Sequence, residues 1–189
     1  MNVWKIYKKN KLERLKKDLK NVDPDILSLL EAINNMDSYV TLSSCSGRIV
    51  IIDLLNFGKK EESNFLGKWH REVKIDEVIS AVKKGKKQTW FIMDPPILHV
   101  ACKSLEAAKE LMKIANCAGF KRIGLISLKN YVLEITTLER VETLLALNGK
   151  MLVDRFFLNE IVKIANEKLK KSKEKLKKLE IELKKIKSR

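Results

Sequence analysis

Tyr39-Val40-Thr41-Leu42-Ser43-Ser44-Cys45-Ser46-Gly47-Arg48-Ile49-Val50-Ile51-Ile52 is the stretch on which the fold turns. Two apolar flanks enclose six residues that hold three hydroxyls, a thiol, a glycine and an arginine. The flanks predict strands over about 39–44 and 48–54. A strand that only had to pack would not carry four small polar residues in a row. Small hydroxyl side chains let a ligand approach the backbone, and Gly47 removes the last steric bar. Arg48 presents a fork of donors suited to a carboxylate or phosphate. Read alone, the run fits a polar turn between two strands equally well.

Residues 2–20 favour a helix with an apolar stripe of Val3, Ile6, Tyr7, Leu12, Leu15 and Leu19. A second helix over 25–34 faces inward through Ile26, Leu29, Leu30 and Ile33. Residues 56–66 read as a charged loop placed to cover a site, 68–74 as a strand, and 75–84 as a helix stopped by Gly85. Strands over 89–93 and 97–102 are separated by Pro95-Pro96, which cannot donate to a ladder. A helix over 105–117 ends at Gly119. Hairpins are expected across Lys129-Asn130 and across Asn148-Gly149. The last helix starts near Phe156. Leu169, Leu176 and Leu183 recur every seven residues with Leu179 and Ile186 between them. That spacing suits a coiled-coil seam or a helix lying on its own domain. The expected fold is α+β: a mixed, curled or barrel-like sheet with outer helices and a long C-terminal helix. A single α+β domain over 1–165, including the basic N-terminal helix, is expected, followed by a basic helical extension over 166–189. No G-x-G-x-x-G occurs, which excludes the Rossmann type of nucleotide site. Asp94-Pro95-Pro96-Ile97 approaches an amino-methyltransferase signature, but Ile97 cannot stack a base.

With 189 residues, 45% of them apolar, the chain suits one globular domain with peripheral helices. No apolar run reaches the ~20 residues of a membrane span, and Met1-Asn2-Val3-Trp4-Lys5 does not read as a secretory signal. Three cysteines favour a reducing cytosol over a disulfide framework, so a cytoplasmic location is expected. The net charge of +15 is concentrated at the termini. Eight basic against two acidic residues leave +6 on residues 1–20, and eleven against four leave +7 on 166–189. Such blocks fit a polyanion partner through counterion release, and equally the lysine-rich surface of a heat-adapted protein.

Three strings stand in order: Ser43 to Ile49; Pro95 followed by Ile97-Leu98-His99-Val100-Ala101-Cys102; and Gly119-Phe120-Lys121. Together they resemble the wybutosine-synthesising methyltransferase family that performs the N4-methylation step on tRNA. The resemblance runs from about Asp25 to Lys170, and Asn148 to Val153 with Ala165 to Lys168 also look like the family's ending. Ile123 departs from it, standing where a serine commonly precedes the glycine. Gly67-Lys68-Trp69-His70 matches only loosely. The resemblance implies S-adenosylmethionine as methyl donor and, as acceptor, a demethylwyosine-type guanosine at position 37 of tRNA-Phe.

On that footing His99, Ser46 and Arg48 are the expected catalytic residues. Ser43, Ser44, Cys45, Gly47, Pro95, Val100, Gly119 and Phe120 would hold the cofactor. Trp69, His70, Lys121, Lys5, Lys8 and Lys9 would meet the tRNA. His99 suits a base because imidazole changes charge near neutral pH. A zinc site from Cys45, His70, His99 and Cys102 is disfavoured, since no C-x-x-C pair occurs. The rival readings are a non-catalytic RNA-binding module and a coiled-coil assembly protein. The oligomeric state stays open between a monomer and a dimer aided by the last helix.

Overall fold

The computed structural model describes residues 3–54 and 63–187. Helix α1 (Val3–Asp18) leads through two turns of 3-10 helix, Leu19–Asn21 and Pro24–Ile26, into α2 (Leu27–Asn34). There follow β1 (Tyr39–Cys45), β2 (Arg48–Leu54), β3 (Ser63–Trp69), α3 (Ile75–Val82), β4 (Gln88–Asp94), β5 (Ile97–Cys102) and α4 (Leu105–Cys117). The chain closes with β6 (Arg122–Ser127), β7 (Val132–Thr136), β8 (Val141–Leu147), β9 (Lys150–Met151) and α5 (Arg155–Lys187). Among the described residues no helix is long and apolar enough to cross a membrane. The chain divides into two compact units, one of residues 3–46, 96–138 and 172–187, the other of 47–54, 63–95 and 139–171.

The first unit is built on an antiparallel sheet in the order β1-β5-β7-β6. Strand side chains alternate between faces, so Tyr39, Leu98, Val100, Cys102, Leu133 and Ile135 all point one way. That face packs against Ile26, Leu29, Leu30 and Ile33 at α2 and against Leu111 and Ile114 of α4. Ser104 caps α4 by accepting from the Ala107 amide at 3.2 Å. At its other end Gly119, at φ +97°, lets the Phe120 amide reach back to the Ala115 carbonyl and its own amide to that of Asn116, both at 3.0 Å. This is a Schellman cap, and the buried Phe120 supplies its hydrophobic contact. The opposite face is roofed at one end by α1, where Trp4, Tyr7 and Leu12 sit on Val40, Ala101 and Val132. The Trp4 indole donates to the Asp37 carbonyl at 2.7 Å and the Lys8 ammonium to that of Met36 at 2.5 Å. The expected stripe is corrected accordingly: Val3 is 80% exposed, because Trp4 takes the inward position.

The second unit holds an antiparallel sheet in the order β3-β2-β4-β8-β9. Ile49, Ile51, Phe91, Met93 and Leu145 pack against Val78, Ala81 and Val82 of α3 and against Leu158, Val162, Ala165 and Leu169 of α5. Asn148 and Gly149 both adopt positive φ (51° and 75°) in the β8–β9 hairpin, as that turn requires. The strand expected over 68–74 is not one. β3 ends at Trp69, and the next residues prepare α3: the Glu77 carboxylate accepts from the Lys74 amide at 2.9 Å and from Arg71 at 2.8 and 3.1 Å. The Arg71 guanidinium, then the Lys74 amide, hold the Glu77 carboxyl down at about 2. Its folded value lies below the unfolded one, so this stabilisation is present above the ordinary carboxylate range and fades as pH falls through about 2. Arg71→Met is expected to move the Glu77 midpoint up toward the usual carboxylate value of about 4.3. Side-chain carbon NMR across an acid titration reads that shift, and an unmoved midpoint would refute the account.

The fold is thus α+β and not Rossmann-like, with its strands shared between two open antiparallel sheets rather than one curled sheet. Of the expected charged loop over 56–66, residues 56–62 lie outside the described residues and 63–66 belong to β3. The last helix is a single element from Arg155, and residues 166–187 continue it. Its heptad seam faces inward: Leu176, Leu179 and Leu183, each 3% exposed or less, belong to the first unit's core. The coiled-coil reading is corrected by that burial, which leaves those leucines no surface for a second helix.

Candidate active site

A polar row crosses the first unit's sheet on the face that α1 only partly covers. Ser43, His99, Glu134 and Gly124 stand directly opposite one another on β1, β5, β7 and β6. A bulge in β1 creates this register. The pairing shifts between Thr41 and Ser43, so Leu42 is the extra residue and Ser43, not Leu42, falls beside His99. The Thr41 amide is held at the bulge by Asn34 Oδ1 at 2.9 Å. Ser43 Oγ lies 2.7 Å from His99 Nδ1, and His99 Nε2 lies 3.0 Å from Glu134 Oε2. The His99 and Glu134 side chains are 27% and 31% exposed, reachable from solvent yet shielded from full hydration. Beyond Glu134 the row opens, since a Cβ added to Gly124 would meet nothing within 4 Å.

The rest of the small-residue run has its own geometry. Ser44 and Cys45 are half-buried. Ser46 is fully buried; its amide donates to Asp23 Oδ2 at 2.8 Å, while its hydroxyl has no hydrogen-bond partner among the described residues. An unsatisfied buried hydroxyl costs about 1–3 kcal/mol, which sets Ser46 apart from the other hydroxyls of the run. Thr136 Oγ1 donates to the Pro96 carbonyl at 2.8 Å, fixing the start of β5.

The second unit holds Gly47, Arg48, Trp69, His70 and Pro95. Arg48 Nε lies 3.4 Å from Asp94 Oδ2, and the guanidinium sits 5.9 Å over the Phe65 ring. Arg140 bridges the same Asp94 at 3.9 Å and Glu142 at 2.9 Å. Trp69 folds its ring over Gly67, where an added Cβ would lie 2.1 Å from it, and packs on the unit's own core. His70 follows, half-buried, at the end of β3.

The structure therefore brings Ser43 and His99 into contact. It separates Val100 and Phe120 from them, since both are fully buried core residues; Gly119 serves the helix cap. Cys102 also points into the core, opposite to His99, and burial pushes its thiol up to about 12, so the two cannot share an ion. Lys121 is exposed just before β6. Lys5 and Lys9 are exposed on α1, while Lys8 is half-buried with its ammonium disfavoured first by that burial. Glu134 was not singled out from the sequence. The signal for it is a lone acidic residue at an outward position of an otherwise apolar strand. Asp94, in the string whose Ile97 cannot stack a base, pairs instead with Arg48.

The family model described as Methyltransferase TYW3 matches residues 4–185. A tRNA(Phe) 7-((3-amino-3-carboxypropyl)-4-demethylwyosine(37)-N(4))-methyltransferase of Archaeoglobus fulgidus is 51% identical over 166 residues, 87% of this chain and 85% of the relative. A Pyrococcus furiosus protein of the same description, numbered 1, is 49% identical over 148 residues, 77% of this chain and 76% of its own. A solved Pyrococcus horikoshii structure superposes with a TM-score of 0.91 at 43% identity, covering 95% of each chain.

Proposed function

The chain belongs to the Methyltransferase TYW3 family, and we propose from that premise that it methylates N4 of a demethylwyosine-type guanosine at position 37 of tRNA(Phe) with S-adenosylmethionine as donor. The observation that carries this reading is the 51% identity, over 87% of the chain, to a relative described by that activity.

S-adenosylmethionine, when bound, supplies an already activated methyl group, so the protein's task is positioning and proton handling. The orphaned Ser46 hydroxyl fits that donor: it sits in a run of hydroxyls suited to the polar amino-acid and ribose parts. Ser44, Cys45 and Ser46 are the residues assigned to it. Arg48 is assigned a carboxylate, of the donor or of an amino-carboxypropyl chain on the base. His99 is the base, through the contact it makes with Ser43. The tRNA backbone is assigned to the lysines of α1, which roofs the row of the sheet next to His99, and to the basic residues of α5.

Calorimetric titration of S-adenosylmethionine into wild type, Ser46→Ala and Arg48→Ala tests the assignment. Ser46→Ala is expected to leave the free protein at least as heat-stable, since it removes an unsatisfied group, yet to weaken donor binding about tenfold. Lower heat stability with unchanged affinity would mean a structural hydroxyl. No donor binding by the wild type, even with tRNA present, would overturn methyl transfer and favour the RNA-binding module.

A further inference from the structure

We propose that Glu134 is a positioning residue that holds His99 as its Nε2–H tautomer, so that Ser43 is the group receiving the proton of the reacting nitrogen and His99 Nδ1 is where that proton's charge ends. This rests on the methyl-transfer reading and extends it from His99 to its two neighbours.

An ionised carboxylate only accepts hydrogen bonds. With Glu134 Oε2 at 3.0 Å, Nε2 therefore carries the hydrogen; the other tautomer would set a bare nitrogen lone pair against the carboxylate. The neutral imidazole then has its free lone pair on Nδ1, 2.7 Å from Ser43 Oγ, and only the hydroxyl hydrogen can fill that gap. The bonds run in one direction, Ser43 to His99 to Glu134. The lone pairs on Ser43 are left for a donor from outside, and Ser43 is the exposed end of the row.

The proton count closes. A ring nitrogen that takes a methyl group, as the methyl's bond to its donor breaks, and that ends uncharged gives up its N–H. That bond breaks as a new O–H forms on Ser43, the original Ser43 O–H breaks as Nδ1–H forms, and the resulting imidazolium lies beside the Glu134 carboxylate. Nδ1 later returns the proton to water. No oxidant or reductant is involved. A cross-strand His–Glu pair kept only for sheet stability would need no serine in line. The β1 bulge exchanges Leu42 for Ser43 at that place, which points to a function for the whole row.

The test uses nitrogen NMR of the free protein labelled at histidine, at a pH above the ordinary histidine range. Only two histidines are present, and His70→Asn assigns them. Wild-type His99 is expected as the Nε2–H tautomer. Glu134→Ala is expected to give a mixture of tautomers and to lower kcat about tenfold or more, with KM for tRNA within about twofold. Glu134→Gln, whose carbonyl still accepts from Nε2–H, is expected to keep the tautomer and to restore kcat in part. A wild-type Nδ1–H tautomer, or Glu134→Ala with tautomer and kcat both unchanged, would overturn the proposal. A wild type with the expected tautomer that fails to methylate tRNA would instead overturn the underlying reaction, and with it the assignment of Ser43.

Discussion

Ending the chain at Lys171 is expected to unfold the four-stranded unit and to abolish methyl transfer with it. The removed segment carries Leu176, Leu179 and Leu183 into the same core as Ile26, Leu29, Leu111 and Ile135. Truncating one buried leucine to alanine costs about 2–5 kcal/mol, and an ordinary domain has only about 5–15 kcal/mol in total. Losing three such side chains with their backbone exceeds what the unit can bear. Leu179→Ala alone is expected to cost about 3 kcal/mol. Ile181→Ala, on the same helix but 52% exposed, is expected to stay within about 0.5 kcal/mol of wild type. Thermal melts followed by circular dichroism and calorimetry separate these cases. A truncated protein that still melts cooperatively and methylates tRNA would show that residues beyond 171 are a tail. The seven-residue recurrence could not make this distinction, because a partner helix and the chain's own core read the same face of α5.

Local patterns carried most of the elements. Ile26, Leu29, Leu30 and Ile33 all entered the core as their spacing required, and Asn148-Gly149 made its hairpin. Pairing over long separations was not legible. β1 finds its partner in β5, and the intervening residues build a different sheet. Strand alternation reports which side chains face inward, not which core they face, so one sheet and two sheets read alike. The segment after Trp69 failed for another reason: its alternation resembled a strand, but Arg71 and Lys74 were occupied with Glu77 at the start of α3. Among the site residues, the motif strings mixed packing with chemistry. His99 and Val100 are neighbours in sequence, and the sheet turns one out and the other in. The His99–Ser43 contact depends on one extra residue in β1, a bulge that no spacing rule announces.

His99→Ala is expected to lower the rate of methyl transfer by about 10²–10⁴-fold, the usual contribution of a positioned acid or base. The side chain projects from the outer face of the sheet, where it is partly exposed, so its removal opens no cavity in the core. The protein should keep its melting temperature to within a few degrees and its affinity for tRNA and donor to within about twofold. This combination separates the two main readings of the chain. A binding module has no rate to lose, and its phosphate contacts come from lysines that this change leaves in place. Single-turnover methylation of tRNA, measured beside binding and heat stability, provides all three quantities. Partial recovery of the His99→Ala rate by added imidazole would place the missing function in the ring itself. A rate unchanged from wild type would mean that the proton leaves to water unaided, reducing the Ser43–His99–Glu134 row to a device that pins β1, β5 and β7 in register.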